Sequence, residues 1–152
     1  MNLNYLAGIL DGEGYIGIVK ASPQINNGEK HHRYCPRVTV VNTSKVLIDA
    51  LKNNYLGNIG DRPLVSPRHK KSYSFNFSMT EIKRLLPRVK NKLLIKKRQA
   101  ELVLALIKTF RPTGRRNSYT TKEFEVKEKI YQETSALNRV GAIMSRIKEI
   151  QA

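Results

Sequence analysis

The segment Leu6-Ala7-Gly8-Ile9-Leu10-Asp11-Gly12-Glu13-Gly14 constrains this chain more than any other. Residues 3 to 11 place Leu3, Leu6 and Leu10 at helical spacing and Gly12 acts as the stop, so a helix is expected over 3–12. Asp11 and Glu13 then sit at its C-terminal end, the negative pole of the helix dipole. Acids there cost about 0.3 to 1 kcal/mol each unless a cation answers them, and a divalent metal is such a cation. Ala7, Gly8 and Gly12 leave a face with almost no side-chain bulk, which a second helix could approach closely.

Charge narrows the class independently. The chain has 152 residues, with 28 Lys and Arg against 12 Asp and Glu, a formal +16 at pH 7. Such a one-sided balance repels itself in the folded state and is tolerated where a polyanion is the partner. On composition alone, a ribosomal protein or a nucleic-acid chaperone fits equally well. The length and 40% apolar content suit a single domain, 1–152, with one core. No run approaches the roughly 18 apolar residues of a membrane-spanning helix, so no membrane partner is expected. Asp11 and Glu13 interrupt the first apolar run, so no secretory signal is expected either. Cys35 is alone, which excludes an internal disulfide and a Cys-based zinc site and points to a reducing, intracellular setting. His31, His32 and His69 lie in basic stretches without ligand spacing and read as loop residues near phosphate.

Further along, Tyr15 to Ser22 reads as a strand and Ser22-Pro23 with Asn26-Asn27-Gly28 as a long turn. A second strand runs from about Arg33 to Val41, with Arg33, Cys35, Arg37 and Thr39 on one face and Tyr34, Pro36, Val38 and Val40 on the other. A helix near 44–55 starts at Thr43 or Ser44 and ends before Gly57. The next hairpin pairs Asn58–Val65 with Ser72–Met79 across the basic turn that holds Arg68 and Lys70. In its latter strand, Tyr73, Phe75 and Phe77 face the core and Ser74 and Asn76 face outward. Ser78 and Glu81 have capping-box spacing for a short helix that Pro87 ends. A longer helix is expected over about 90–109, with Leu93, Ala100, Leu104 and Ile107 inward and Lys92, Lys96, Lys97 and Arg98 in its first half. A linker holding Arg115 and Arg116 precedes a C-terminal helical extension at about 119–151. Its start is marked by Thr120 and Glu123, with a break near Ser135 and a stripe of Leu137, Val140, Met144 and Ile147.

The nine-residue segment, preceded by Tyr5, resembles the LAGLIDADG motif of homing endonucleases in the form whose last acid is Glu. The stretch Lys96-Lys97-Arg98-Gln99-Ala100, with Glu101-Leu102-Val103-Leu104 after it, is similar to the compact single-motif branch typified by chloroplast ribosomal-intron enzymes. The resemblance implies an α+β fold of order αββαββα with additional C-terminal helices, assembled into a saddle-shaped homodimer. With one motif per chain, two copies would pack their motif helices through Ala7, Gly8, Asp11 and Gly12. Such a pair carries twice +16, or +32, and suits a long, nearly palindromic DNA duplex.

For activity the resemblance implies site-specific, double-strand DNA cleavage by metal-assisted phosphodiester hydrolysis. Glu13 and the carbonyl of Gly12 would hold Mg2+, a site that also accommodates Mn2+ or Ca2+. Asn42 would order the attacking water, and Lys96, or else Lys97 or Arg98, would stand at the scissile phosphate; Lys45 is a weaker candidate. Asp11 would be mainly structural. DNA contacts are expected from Tyr15, Val19, Arg33, Arg37, Thr39, Ser74 and Asn76 on the strands, with Arg33 and Arg37 suited to guanine. The basic residues Arg68, Lys70, Lys97, Arg98, Arg115 and Arg116 would add further contacts. An organelle or a prokaryotic cytoplasm would house the protein, and the RNA of its own intron is not an expected partner. Two other readings stand beside the enzyme: an intron maturase or non-cleaving nucleic-acid binder of the same fold, and a basic ribosomal protein, for which the helix-end acids would serve no purpose.

Overall fold

A computed structural model describes residues 1–152 apart from 27, 63, 65, 112–118 and 152; for residues 24, 26, 29 and 141–151 it describes the backbone alone. In chain order the elements are α1 (Leu3–Glu13), β1 (Gly14–Lys20), β2 (Gln24–Asn26), β3 (Glu29–His31), β4 (Tyr34–Asn42), α2 (Lys45–Asn54), β5 (Gly57–Arg62), β6 (Ser72–Phe77), α3 (Met79–Val89), a 3-10 turn (Lys90–Lys92), α4 (Lys97–Lys108) and α5 (Thr121–Gln151). The α+β class and the αββαββα order hold, with a small hairpin, β2–β3, inside the expected long turn. Gly28 makes that hairpin possible, at a φ of 80° that an L side chain rarely adopts. The main sheet has the order β1-β4-β6-β5. Strands β4 and β6 pair antiparallel with Thr39 opposite Asn76 and Asn42 opposite Tyr73, while β5 and β6 pair with Gly57 opposite Phe77. No helix among the described residues is long and apolar enough to cross a membrane.

The chain forms two compact units, each built from two stretches of sequence. The first comprises Met1–Ile16 and Arg37–Glu101. Its core includes Leu6, Ala7 and Leu10 of α1, Ile48 and Leu51 of α2, Phe75 and Phe77 of β6, and the apolar face of α3. Burying one such Leu, Ile or Phe contributes about 1.5 to 3 kcal/mol. Packing is tight: the void lined by Leu10, Val38, Phe77, Ile82, Leu85, Leu86 and Val89 measures only about 10 Å3. Gly57 is required by proximity, because a Cβ there would lie 2.3 Å from the Asn76 carbonyl oxygen and 2.6 Å from the Phe75 ring.

The second unit comprises Gly17–Pro36 and Leu102–Ala152. Helix α5 begins with a complete capping box, the Glu123 amide donating to Thr120 Oγ1 (3.3 Å) and the Thr120 amide to the Glu123 carboxylate. Glu123 also accepts from Arg111 at 2.7 Å, and the Arg111 guanidinium, with the Thr120 amide, holds its carboxyl down at about 2. Lys20, Tyr34 and Gln132 all donate to the Glu128 carboxylate. Burial opposes ionisation of Glu128, but these three hydrogen bonds outweigh it and hold the carboxyl below its usual range.

Several sequence expectations are corrected. Helix α1 runs one residue past the expected end, through Glu13, and is capped by Gly14, whose amide donates to the Leu10 carbonyl. Strand β4 starts at Tyr34, leaving Arg33 just ahead of it, where its carbonyl accepts from the Ala21 amide. Pro87 lies inside α3, whose last turn is retained by burial of Leu85, Leu86 and Val89. The capping box at Ser78 is half made. Ser78 Oγ accepts from the Glu81 amide, but the buried Glu81 carboxylate is taken by the Leu56 amide and Arg84. The helix expected over 90–109 is broken at Leu93–Lys96, and its inward stripe is Ala100, Leu102, Val103 and Leu106, with Leu104 and Ile107 only half-buried. Helix α5 passes through Ser135 unbroken; Leu137 is half-buried and Val140 exposed, and the side chains of Met144 and Ile147 lie outside the described ones.

Candidate active site and nucleic-acid interface

All the residues proposed for chemistry fall in the first unit, and two long-range contacts fix their frame. The Asp11 carboxylate accepts the backbone amides of Leu94 (2.7 Å), Ile95 (3.2 Å) and Lys96 (3.0 Å), which precede α4. In return the Lys96 ammonium donates to the carbonyls of Leu10 (2.8 Å), Asp11 (2.9 Å) and Gly14 (2.5 Å). A cation therefore does answer the negative pole of α1, and it comes from this chain. Burial of the Lys96 ammonium lowers its pKa, and the nearby Asp11 charge opposes that shift. The ammonium expected, with Lys97 or Arg98 as alternatives, at a scissile phosphate is seated on three carbonyl oxygens. Its neighbours Lys97 and Arg98 are exposed, with Arg98 3.6 Å from Glu101.

Glu13 is the last residue of α1, and its carboxylate is exposed. Asn42, the last residue of β4, donates its side-chain amide to Glu13 Oε2, while its Oδ1 accepts from the Ser44 amide (2.7 Å). One end of the Asn42 side chain is thus anchored where α2 begins and the other orients the carboxylate. Lys45, the weaker candidate, is engaged with Asp49 at 2.8 Å. No group of three or more His, Cys, Asp or Glu side chains able to hold a metal occurs among the described residues. The hard-oxygen donors here are the Glu13 carboxylate and main-chain carbonyls, among which Gly12 is not one that Lys96 takes. This set suits a hard divalent cation if a second chain or a substrate phosphate completes it.

The bare helix face is narrower than expected. Ala7 is 2% exposed and packs inward beside Leu6 and Leu10, because positions 3, 6, 7 and 10 share one helical stripe. Gly8 and Gly12 are exposed, and a Cβ at either would meet nothing within 4 Å among the described residues.

On the sheet, Tyr15, Arg37 and Asn76 are exposed and Val19 is half-buried. Thr39 and Ser74, expected to face outward, are buried. They lie on the two inner strands, where cross-strand neighbours cover them: Thr39 donates to Asn76 Oδ1 (2.8 Å) and Ser74 to the Gly60 carbonyl (3.2 Å). Arg68 and Lys70 are exposed in the β5–β6 turn. Arg33, in the second unit, is exposed as well, and Arg115 and Arg116 lie outside the described residues. Of the histidines, His31 stacks on Phe124 (3.8 Å, 3°), His32 Nδ1 lies 2.9 Å from the Ala21 carbonyl, and His69 is exposed.

No family model and no curated protein sequence matches this chain. Solved structures do. The homing endonuclease I-CvuI, in complex with its target in the presence of Ca, is 22% identical over 89% of this chain and 80% of its own, with a TM-score of 0.62. The LAGLIDADG homing endonuclease I-SmaMI, bound to cleaved DNA, is 16% identical over 86% of this chain and 42% of its own, with a TM-score of 0.65. An archaeal intron-encoded homing endonuclease complexed with DNA is 14% identical over 84% of this chain and 95% of its own, with a TM-score of 0.58. The chain has the LAGLIDADG homing endonuclease fold. It matches most of the length of the first and third of these proteins and less than half of the second.

Proposed function

We propose that this protein is a site-specific DNA endonuclease that acts as a homodimer on a long, nearly palindromic duplex, with Mg2+ as the working metal. The observation that carries the reading is the Glu13–Asn42 pair at the end of a helix whose Gly8 and Gly12 face is open. Among the described residues of a single chain, nothing lies within 4 Å of a Cβ at either glycine to require that they be small. A second copy of α1 would, and its approach would bring two Glu13 carboxylates and two Gly12 carbonyls together.

When bound there, the metal supplies Lewis acidity toward the phosphate and a means of generating the hydroxide nucleophile. The remaining work falls to the chain. Asn42 fixes the rotamer of Glu13. Lys96 and Asp11 lock the end of α1 to the start of α4, so the carboxylate is placed by rigid elements. Lys96 is accordingly a positioning residue, and Lys97 and Arg98, exposed at the start of α4, are the cations proposed to meet a phosphate. Tyr15, Arg37, Asn76, Arg68 and Lys70 supply DNA contacts from the sheet and its turn, with Arg33 and Val19 as further contacts. The similar structures, homing endonucleases held on DNA, support this over a binder that does not cut.

The test is digestion of a library of ribosomal-gene fragments with Mg2+, followed by mapping of the ends. Symmetric, staggered double-strand cuts at one site are expected. Binding without cutting at any site would transfer the chain to the maturase or regulator class.

A further inference from the structure

The second unit contains a cavity of about 210 Å3 that the proposed endonuclease chemistry does not use. Tyr34, Phe110, Tyr119 and Phe124 form its aromatic wall, and His31 extends that wall by stacking on Phe124. The remaining lining is basic, including Lys127 and Arg33. Lys127 is only 4% exposed, and its ammonium lies 3.2 Å from the centre of the Tyr119 ring and 5.6 Å from that of Phe110. No carboxylate among the described residues forms a salt bridge with it; Glu123, a nearby acid, is engaged with Arg111. Aromatic faces offset part of the cost of burying a cation, and an anion would offset the rest. Burial lowers the Lys127 pKa, and Tyr119 and the Glu123 charge oppose that shift.

The geometry points to a binding site for a single unstacked nucleotide, its base against the aromatic wall and its phosphate paired with Lys127. Planar rings beside a buried cation match a ligand that is itself a planar heterocycle carrying an anion. The volume is below the roughly 300 Å3 of drug-sized sites, so the occupant is limited to about one base with its sugar phosphate. The same chemistry is offered by a free mononucleotide and by a nucleotide displaced from a strand.

The full-length chain, without metal or duplex DNA, is titrated with the four deoxynucleoside 5′-monophosphates, the matching nucleosides, inorganic phosphate, and five-residue single strands with and without one abasic position. Tyrosine fluorescence reads binding, since the chain has seven Tyr and no Trp. A nucleotide is expected to bind about tenfold more tightly than its nucleoside or phosphate alone. Phe124→Leu should weaken nucleotide and nucleoside alike. Lys127→Gln should abolish the advantage of the phosphate, and Lys127→Arg should restore it in part. Tighter binding of the intact strand than of the mononucleotide, lost at an abasic position, identifies a strand as the source; equal binding identifies the free nucleotide. Absence of saturable binding at millimolar ligand, phosphate competing as well as nucleotide, or folded variants that bind as the wild type does would overturn the assignment. Because neither cleavage nor dimerisation enters the readout, failure of the endonuclease reading would leave this result standing.

Discussion

Asp11 and Lys96 each cap the helix of the other: the Asp11 carboxylate takes three amides ahead of α4, and the Lys96 ammonium takes three carbonyls at the end of α1. Each charge lies where the opposing dipole favours it, so the motif helix and α4 are joined at the point where Glu13 is presented. Removing the carboxylate leaves three amides to water. Asp11→Ala should therefore destabilise the fold by about 2 kcal/mol, read as a lower urea midpoint with an unchanged m-value, and Asp11→Asn by less.

The glycines separate by what surrounds them. Gly57→Ala forces a Cβ into the Asn76 carbonyl and should cost about 1 to 3 kcal/mol or more, measured by thermal unfolding. A Cβ at Gly8 meets nothing within 4 Å among the described residues, so Gly8→Ala should keep its single-chain stability, and the bulkier Gly8→Leu should lose the dimer in sedimentation on target DNA. A dimer that survives Gly8→Leu would place the interface elsewhere.

Much of this frame was legible in the sequence. The acids at the wrong pole of α1 announced that a cation must face them, and the alternation around Val38 and Val40 marked an inward strand face. The identity of the cation was not legible, because Lys96 lies 85 residues from Asp11 and no local periodicity encodes such a pairing. Pro87 misled for a related reason, since a proline's cost is local while the burial of Leu86 and Val89 that outweighs it is tertiary. The burial of Thr39 and Ser74 is not legible in the sequence, because alternation assigns a face but not whether neighbours cover it. The cage around Lys127 gave no signal beyond scattered aromatics.

The Glu123 carboxyl predicts an acid dependence. Its pKa falls from the ordinary 4.5 to about 2 on folding, so the stabilisation is fully present above pH 4.5 and is lost as pH falls through 2. Melting temperatures measured from pH 5 to 2 should drop less steeply for Glu123→Gln than for the parent. Parallel curves would remove the Arg111–Glu123 contact from the account.

A dimer carrying +32 should bind DNA with steep salt dependence. Raising salt from about 50 to 200 mM should weaken duplex binding roughly a thousandfold, as expected for several neutralised phosphates. Arg37→Ala should alter base preference as well as affinity, whereas Lys70→Ala should lower affinity uniformly and flatten the salt slope. A salt-independent affinity would contradict a basic DNA-binding surface.

The most direct measurement compares cleavage and binding of one mapped target by the parent chain and Glu13→Gln, with and without Mg2+. Mg2+-dependent double-strand cuts are expected from the parent, none from Glu13→Gln, and dissociation constants for the two within about threefold. Cleavage by Glu13→Gln at the parental rate would contradict the proposed role of Glu13.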